Sequence, residues 1–203
     1  MLPHLTPMRL MRQKKAFDHP DWLFEVKFDG FRALAYLEEG RCRLVSRNQN
    51  VFQSFEPLGG WIAQHLDVEN AILDGELVCL DDEGRSLFYP LLFRRQQPCL
   101  YAFDLLWLNG RDLRPLPLLE RKARLQELLP APPSMLLYLD HIEEQGSGLF
   151  RLGCQRDLEG IVAKPKQSPY RSDCRQTSWI KIKNPDYSQL QGRRELFNSF
   201  RRS

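Results

Sequence analysis

Apolar and polar positions alternate along most of this chain. Residues 23–27, 33–37, 41–46, 71–80, 99–108, 160–164 and 179–183 follow the period of two that sends successive side chains to opposite faces of a strand. Helical spacing is confined to shorter stretches. Over 57–66, Leu58, Trp61, Ile62 and Leu66 recur at helical intervals. Over 116–129, Leu118, Leu125 and Leu129 form one stripe with Leu119 and Ala123 beside it, and Pro130 ends the run. A shorter helix is expected around 149–156. Turn residues punctuate these elements at Glu38-Glu39-Gly40, at Asp81-Asp82-Glu83-Gly84 and at Asn109-Gly110, the last a strong hairpin signal leading to a short return through Leu113. Pro130-Ala131-Pro132-Pro133 reads as a rigid loop within a domain. The pattern predicts an α+β fold of mixed, mainly antiparallel sheets with a few packed helices, in one domain over 1–203.

Composition changes this picture little. With 42% hydrophobic and 27% charged residues and a net charge of +3, the chain has the make-up of a globular protein. Basic residues cluster at Arg9, Arg12, Lys14 and Lys15 and again at Arg193, Arg194, Arg201 and Arg202, an arrangement of solvated surface that also suits phosphate contacts. Five cysteines, Cys42, Cys79, Cys99, Cys154 and Cys174, are scattered and never spaced as CxxC, which argues against a disulfide framework or structural zinc and for a reducing cytoplasm. No stretch reads as a membrane span or a signal peptide.

The chemistry lies where charge interrupts apolar strands. Glu25-Val26-Lys27-Phe28-Asp29-Gly30-Phe31-Arg32 sets a lysine between acids at alternate positions. If the strand continues, Glu25, Lys27 and Asp29 share a face, and Gly30 turns the chain so that Arg32 returns to the same space. Asp74 and Glu76 share a face in Ile72–Val78, and Asp104 is the sole charge in Tyr101–Trp107. Glu159 opens and Lys164 closes a further strand, and Lys181 and Lys183 alternate with isoleucines. Taken alone, the last segment is an ordinary amphipathic strand with a wet face. Five such segments in one small domain together suit a nucleoside triphosphate with its divalent metal: lysines for phosphate oxygens, carboxylates for the metal, and Phe103 for a base.

The string Lys27-Phe28-Asp29-Gly30-Phe31-Arg32 resembles the KxDGxR signature of covalent nucleotidyltransferases, which comprise ATP-dependent DNA ligases, RNA ligases and mRNA capping enzymes. LDGELV, YAFDLLWLNG, EGIVAK and WIKIKN follow in the order and spacing of bacterial ATP-dependent DNA ligases, and Ser46-Arg47-Asn48 is similar to the intervening motif. The resemblance runs from about Pro7 to the end of the chain. It implies an ATP-grasp-like DNA ligase adenylation domain in which Lys27 attacks the α-phosphate of ATP to form lysyl-AMP. It places Lys181 and Lys183 on that phosphate, Arg32 and Glu76 near the ribose, Phe103 on the adenine and Glu25 at its amino group. Arg47 falls on the phosphate of a DNA strand, and Glu76 and Glu159 on a Mg2+ or Mn2+ ion. Nicked double-stranded DNA is the implied partner, the protein acting as a monomer. An RNA ligase, a capping-type enzyme and a nucleotide-binding or nicked-DNA-binding module without turnover remain open alternatives.

Ligases of this type usually continue into an OB-fold domain carrying a basic RxDK-type motif. Here 20 residues follow Lys183, and Arg193-Arg194-Glu195-Leu196 does not match that motif. The expectation is therefore a tail over 184–203 in place of the OB-fold domain, with a slower first step and a weaker DNA grip; a natural minimal protein, a protein partner supplying the clamping function and a single excised domain remain open alternatives.

Overall fold

A computed structural model describes residues 1–131, 134–172 and 177–190 of the protein. Cys174 and the basic group Arg193, Arg194, Arg201 and Arg202 lie outside the described residues, as does the tail beyond residue 190. The elements in chain order are β1 (Met11–Gln13), β2 (His19–Val26), β3 (Phe31–Glu38), β4 (Arg41–Ser46), a 3₁₀ turn (Gln53–Phe55), α1 (Glu56–His65), β5 (Asn70–Val78), α2 (Phe88–Leu92), β6 (Cys99–Leu108), β7 (Arg111–Asp112), α3 (Leu118–Leu128), β8 (Leu136–Tyr138), β9 (His141–Glu144), α4 (Gly146–Gln155), β10 (Gly160–Pro165) and β11 (Ile180–Lys183). Among them no helix is long and apolar enough to cross a membrane.

Two sheets result, one ordered β1-β11-β10-β2-β9 and the other β4-β3-β5-β6-β7, with β8 also paired to β6. Pairing is antiparallel except for β1 with β11 and β6 with β8. The period-two segments deliver the apolar layers. Leu34, Tyr36, Ile72, Phe103 and Leu106 from the second sheet meet Leu23 and Trp179 from the first. The opposite face of the second sheet, with Ala33, Ala35, Leu73 and Leu105, packs on Leu58, Ile62 and Leu125 of α1 and α3. Phe24, Ile161 and Ile182 on the outer face of the first sheet pack against Leu149 and Phe150 of α4. All three expected turns contain left-handed backbone, Glu39-Gly40 at φ 54° and 68°, Gly84 at φ 78° and Asn109-Gly110 at φ 46° and 80°.

Two helices depart from the expected spans. α3 starts two residues later than expected, because Pro117 occupies its extended N-cap. α4 starts at Gly146, three residues early, and that glycine fits because a Cβ there would come 2.3 Å from the Phe24 ring. The buried face of α3 also differs: it carries Leu118, Arg121, Lys122 and Leu125, while Ala123 is exposed. The two cations turn inward because carboxylates wait there. Arg121 donates to both oxygens of Asp104 at 2.7 and 2.8 Å and to the carbonyls of Leu116 and Ser168, and neither side chain has any exposure.

Removing one partner of a fully buried pair leaves an uncompensated charge. Arg121→Ala should therefore lower the unfolding free energy by about 3–5 kcal/mol. The double variant Asp104→Leu/Arg121→Leu should recover most of that loss, as read by urea unfolding.

Candidate active site

β2 ends at Val26, so the alternation that would carry Glu25, Lys27 and Asp29 along one face stops before Lys27. Lys27 stands just beyond the strand, its backbone N–H donating to the carbonyl of Gly160 at 2.9 Å. The chain then leaves the first sheet for the second at Gly30. A Cβ at Gly30 would lie 2.1 Å from the Leu77 carbonyl oxygen and 2.9 Å from Val78, so no other residue fits the crossing without moving β5. Asp29 accepts from the Tyr187 hydroxyl at 3.1 Å.

The Lys27 amine reaches Glu159 Oε2 at 2.6 Å, and Lys183 reaches Glu159 Oε1 at 2.7 Å. Register explains the meeting: Gly160 pairs with Lys183 across β10 and β11, which sets Glu159 beside the lysine. Burial pushes the Glu159 carboxyl up, but the ammonium groups of Lys27 and Lys183 outweigh it and hold the group below the usual carboxylate range. Lys181 is pushed down by its own burial and then by the repulsion of Lys183, Lys27 and Arg47.

Two connected cavities open from Lys27. The wider, about 750 Å3, is lined by Arg9, Lys27, Arg32, Arg47, Glu76, Glu159, Lys181 and Lys183 among others. The narrower, about 50 Å3, has an apolar and aromatic wall of Leu10, Phe28, Phe103, Leu139, Val162 and Trp179, with Glu25, Lys27, Arg32, Glu76 and Lys164 at its polar edge. Every site residue singled out from the sequence thus lines one of these spaces. Arg47 is exposed at the rim of the wider one, whereas Phe103 is 7% exposed in the wall of the slot.

Arg32 is fixed on three sides. It donates to both oxygens of Asp74, at 2.9 and 2.5 Å, and its guanidinium lies 5.2 Å from the Phe103 ring centre and 5.5 Å from that of Trp179. Asp74 also accepts from Tyr170 at 2.7 Å, and that hydroxyl receives the backbone N–H of Met8. Beneath the slot, Glu25 is 1% exposed and held between Lys122 at 2.7 Å and Lys164 at 2.5 Å. Burial raises the Glu25 carboxyl, but the two ammonium groups bring it below its ordinary value. Lys164 is pushed down to about 8 by burial, with the repulsion of Lys122 working against the pull of Glu25. Its amine sits 4.2 Å from the Phe103 ring centre and 4.0 Å from Trp179.

Lys122 and Trp179 are parts of this site that reasoning about the sequence did not assign to it, while Asp74 and Lys164 were recognised as charges in apolar strands without a role of their own. Their signal was a carboxylate alone in an apolar strand, which requires a cation from elsewhere in the fold. Trp179 Nε1 is buried without a hydrogen-bond partner among the described residues, so the wall of the slot holds an unspent donor. No group of three or more His, Cys, Asp or Glu among the described residues is arranged to cage a metal ion. Glu76 and Glu159, both facing the wide cavity, are instead a donor pair of the kind that shares Mg2+ with substrate phosphates.

An aromatic slot joined to a cation-lined cleft, with a lysine amine at their junction, defines a nucleotide-handling site. Residues 3–183 match the ATP dependent DNA ligase domain family, and the chain belongs to that family. It is 37% identical over 169 residues to the multifunctional non-homologous end joining protein LigD of Pseudomonas aeruginosa, covering 80% of this chain and 20% of that one. It is 29% identical over 194 residues to the SPbeta prophage-derived DNA ligase-like protein LigB of Bacillus subtilis, covering 92% and 70%. Among solved structures, a mycobacterial DNA ligase D complexed with ATP and MES superposes with a TM-score of 0.74 at 30% identity, covering 88% of this chain and 60% of that one. The chain thus spans a fifth of the length of the Pseudomonas protein. The α+β architecture with antiparallel sheets expected from the sequence is that of these ligase domains.

Two outcomes test the electrostatics. Glu25→Gln removes the anion between two buried ammonium groups and should cost about 3 kcal/mol of stability in urea unfolding. Burial drives the Glu76 carboxyl up to about 7, above the 4.5 of a free glutamate, although Lys27 and Arg32 oppose this. The native state therefore holds that proton more tightly than the unfolded chain. The resulting stabilisation is complete below pH 4.5 and is lost as pH rises through about 7. Glu76→Gln should leave thermal stability near wild type at pH 4.5 and raise it at pH 8, by on the order of 1 kcal/mol because the side chain is partly open to the cavity.

Proposed function

We propose that this protein is the adenylyltransferase of an ATP-dependent DNA strand-joining reaction. Lys27 attacks the α-phosphate of ATP, a nitrogen–phosphorus bond forms as the bond to pyrophosphate breaks, and AMP passes from lysyl-AMP to the 5′-phosphate of nicked DNA. The observation that carries this reading is the Lys27 amine at the junction of slot and cleft, ringed by Lys181, Lys183, Arg32 and Glu159.

Each group has work that its position favours. The slot takes the base against Phe103, with Glu25 below it. Arg32, already fixed by Asp74, and Glu76 lie where the ribose follows. Lys181 and Lys183 neutralise the α-phosphate as point charges. Glu159 holds Lys27 in place by accepting a hydrogen bond from its amine, so the amine must leave that pair and give up a proton to solvent before it attacks as a nucleophile. Glu76 and Glu159 would hold Mg2+ or Mn2+, which when bound offsets the charge of the phosphates. Arg47 and Arg9, exposed at the mouth of the cleft, suit the backbone of a DNA strand. End joining in DNA repair, as in the names of the LigD relatives, is the context we infer. Residues 1–203 act as a single adenylation domain, with 184–203 as its tail.

Intact mass after incubation with ATP and Mg2+ or Mn2+ tests the covalent step. Wild type should gain one AMP, and Lys27→Ala should gain none while still binding ATP. Lys183→Ala should slow adduct formation by about 100-fold, the scale set by removing one charge-stabilising donor. A folded wild-type protein that binds ATP and never gains mass would overturn the transferase in favour of a binding module.

A further inference from the structure

Beyond β11 the chain does not leave the domain directly. Residues 184–190 fold back across the underside of the Lys27 turn and tie three separate segments together. Asn184 donates its backbone N–H to the Glu159 carbonyl at 2.9 Å and its side-chain amide to the Leu158 carbonyl at 3.1 Å. Tyr187 donates its hydroxyl to Asp29 at 3.1 Å. Ser188 is bound to Asp157 through both its backbone N–H, at 2.9 Å, and its hydroxyl. Gln189 donates to the Ser86 carbonyl at 2.7 Å and accepts the Phe88 N–H at 3.2 Å, while Ser86 Oγ accepts the Asp29 N–H at 3.2 Å.

The anchor points are well chosen for one purpose. Asp29 lies two residues after Lys27, and Asp157, Leu158 and Glu159 lead directly into the carboxylate that holds the Lys27 amine. Asn184, Tyr187, Asp29, Ser86 and Glu159 are each between 2% and 4% exposed, so these bonds are shielded from water. The Tyr187 phenol is held in its protonated, donating form, chiefly by burial and then by the Asp29 charge. The strap begins where the ligase family match ends, at residue 183.

We propose that the strap is a positioning element for the nucleophile, with Tyr187, acting through Asp29, and Ser188, acting through Asp157, setting the separation of Lys27 and Glu159. The proposal rests on the adenylyltransferase reading for its kinetic consequence, although not for its geometric one. Tyr187 lines neither cavity, so it is a positioning residue. Its loss should slow the chemical step while leaving ATP binding alone, since a small misplacement of a nucleophile costs rate far more than affinity.

The test uses the full chain and two variants. Tyr187→Phe keeps the buried ring and deletes only the hydroxyl, and Ser188→Ala frees the other anchor at an exposed position away from Lys27. Two readouts are taken on each, single-turnover adenylylation against ATP concentration and the rate at which Lys27 is acetylated by a limiting anhydride, referenced to Lys14 and read by peptide mass. With the native strap gone, Lys27 should separate from Glu159 and label about threefold faster, while adenylylation falls about tenfold at saturating ATP with half-saturation changed by less than about twofold. Ser188→Ala should move both in the same direction and carries the test if Tyr187→Phe does not fold. Unchanged labelling in both variants overturns the strap, as does a rate loss that only tracks the unfolded fraction in thermal melts. Faster labelling in the variants from a wild-type protein that forms no adduct upholds the strap and overturns the transferase reading.

Discussion

The structure depends on one crossing. Between Val26 and Phe31 the chain passes from the last residue of β2 to the first of β3, from one sheet to the other, and Lys27 stands in the gap. Two glycines permit this. Gly30 lies so close to β5 that a Cβ would meet the Leu77 carbonyl, and Gly160, at φ 143°, lies as close to the carbonyl of Ile182. With the Lys27 N–H bonded to Gly160, strands β2, β10 and β11 are drawn to one point. The meeting of Lys27, Glu159 and Lys183 is a consequence of sheet register, set by backbone rather than by attraction among the side chains.

That crossing is surrounded by charge taken out of water. Glu25 with Lys122 and Lys164, Asp74 with Arg32, and Asp104 with Arg121 are three carboxylates in apolar strands, each met by cations from another element. Buried pairs of this kind repay their desolvation poorly, and well-packed apolar residues would serve stability as well or better. Their value here is placement. Arg32 and Lys164 are held rigid against the faces of Phe103 and Trp179, so cationic and aromatic walls of the slot are preset before a ligand enters. A base entering the slot then meets walls that need no reorganisation.

Much of this was legible from residue pattern. Strands of six to ten residues announce themselves by alternation, as does the 179–183 run that contains β11, and the turns at Glu39-Gly40 and Asn109-Gly110 by chemistry that few other pairs supply. β1, β8, β9 and α2 have three to five residues each, too few for any period to register. The candidate site was legible as a set of residue types in order, and all of them converge. What the sequence could not carry was partnership. α3 was read by its leucines, yet Arg121 and Lys122 share its buried face, because Asp104 and Glu25 create a demand that only the tertiary structure reveals. In the same way Asp29, the companion of Lys27 in the signature, turned out to face Tyr187, some 158 residues later in the chain.

The shapes of the two cavities decide how a nucleotide would lie. The slot offers aromatic and aliphatic walls with few unpaired polar atoms, a poor place for a triphosphate and a good one for a flat base. The wide cleft mixes apolar lining such as Met8, Phe31 and Phe52 with the cations Arg9, Arg47, Lys181 and Lys183, and it is these cations that suit phosphate. Only Leu10, Lys27, Arg32 and Glu76 line both spaces. A nucleoside triphosphate with its base in the slot and its outer phosphates in the cleft must carry its ribose and first phosphate past these residues. Lys27 is the one amine among them. On the transferase reading, attack at the α-phosphate rather than at a terminal one then follows from where the slot stops and the cleft begins.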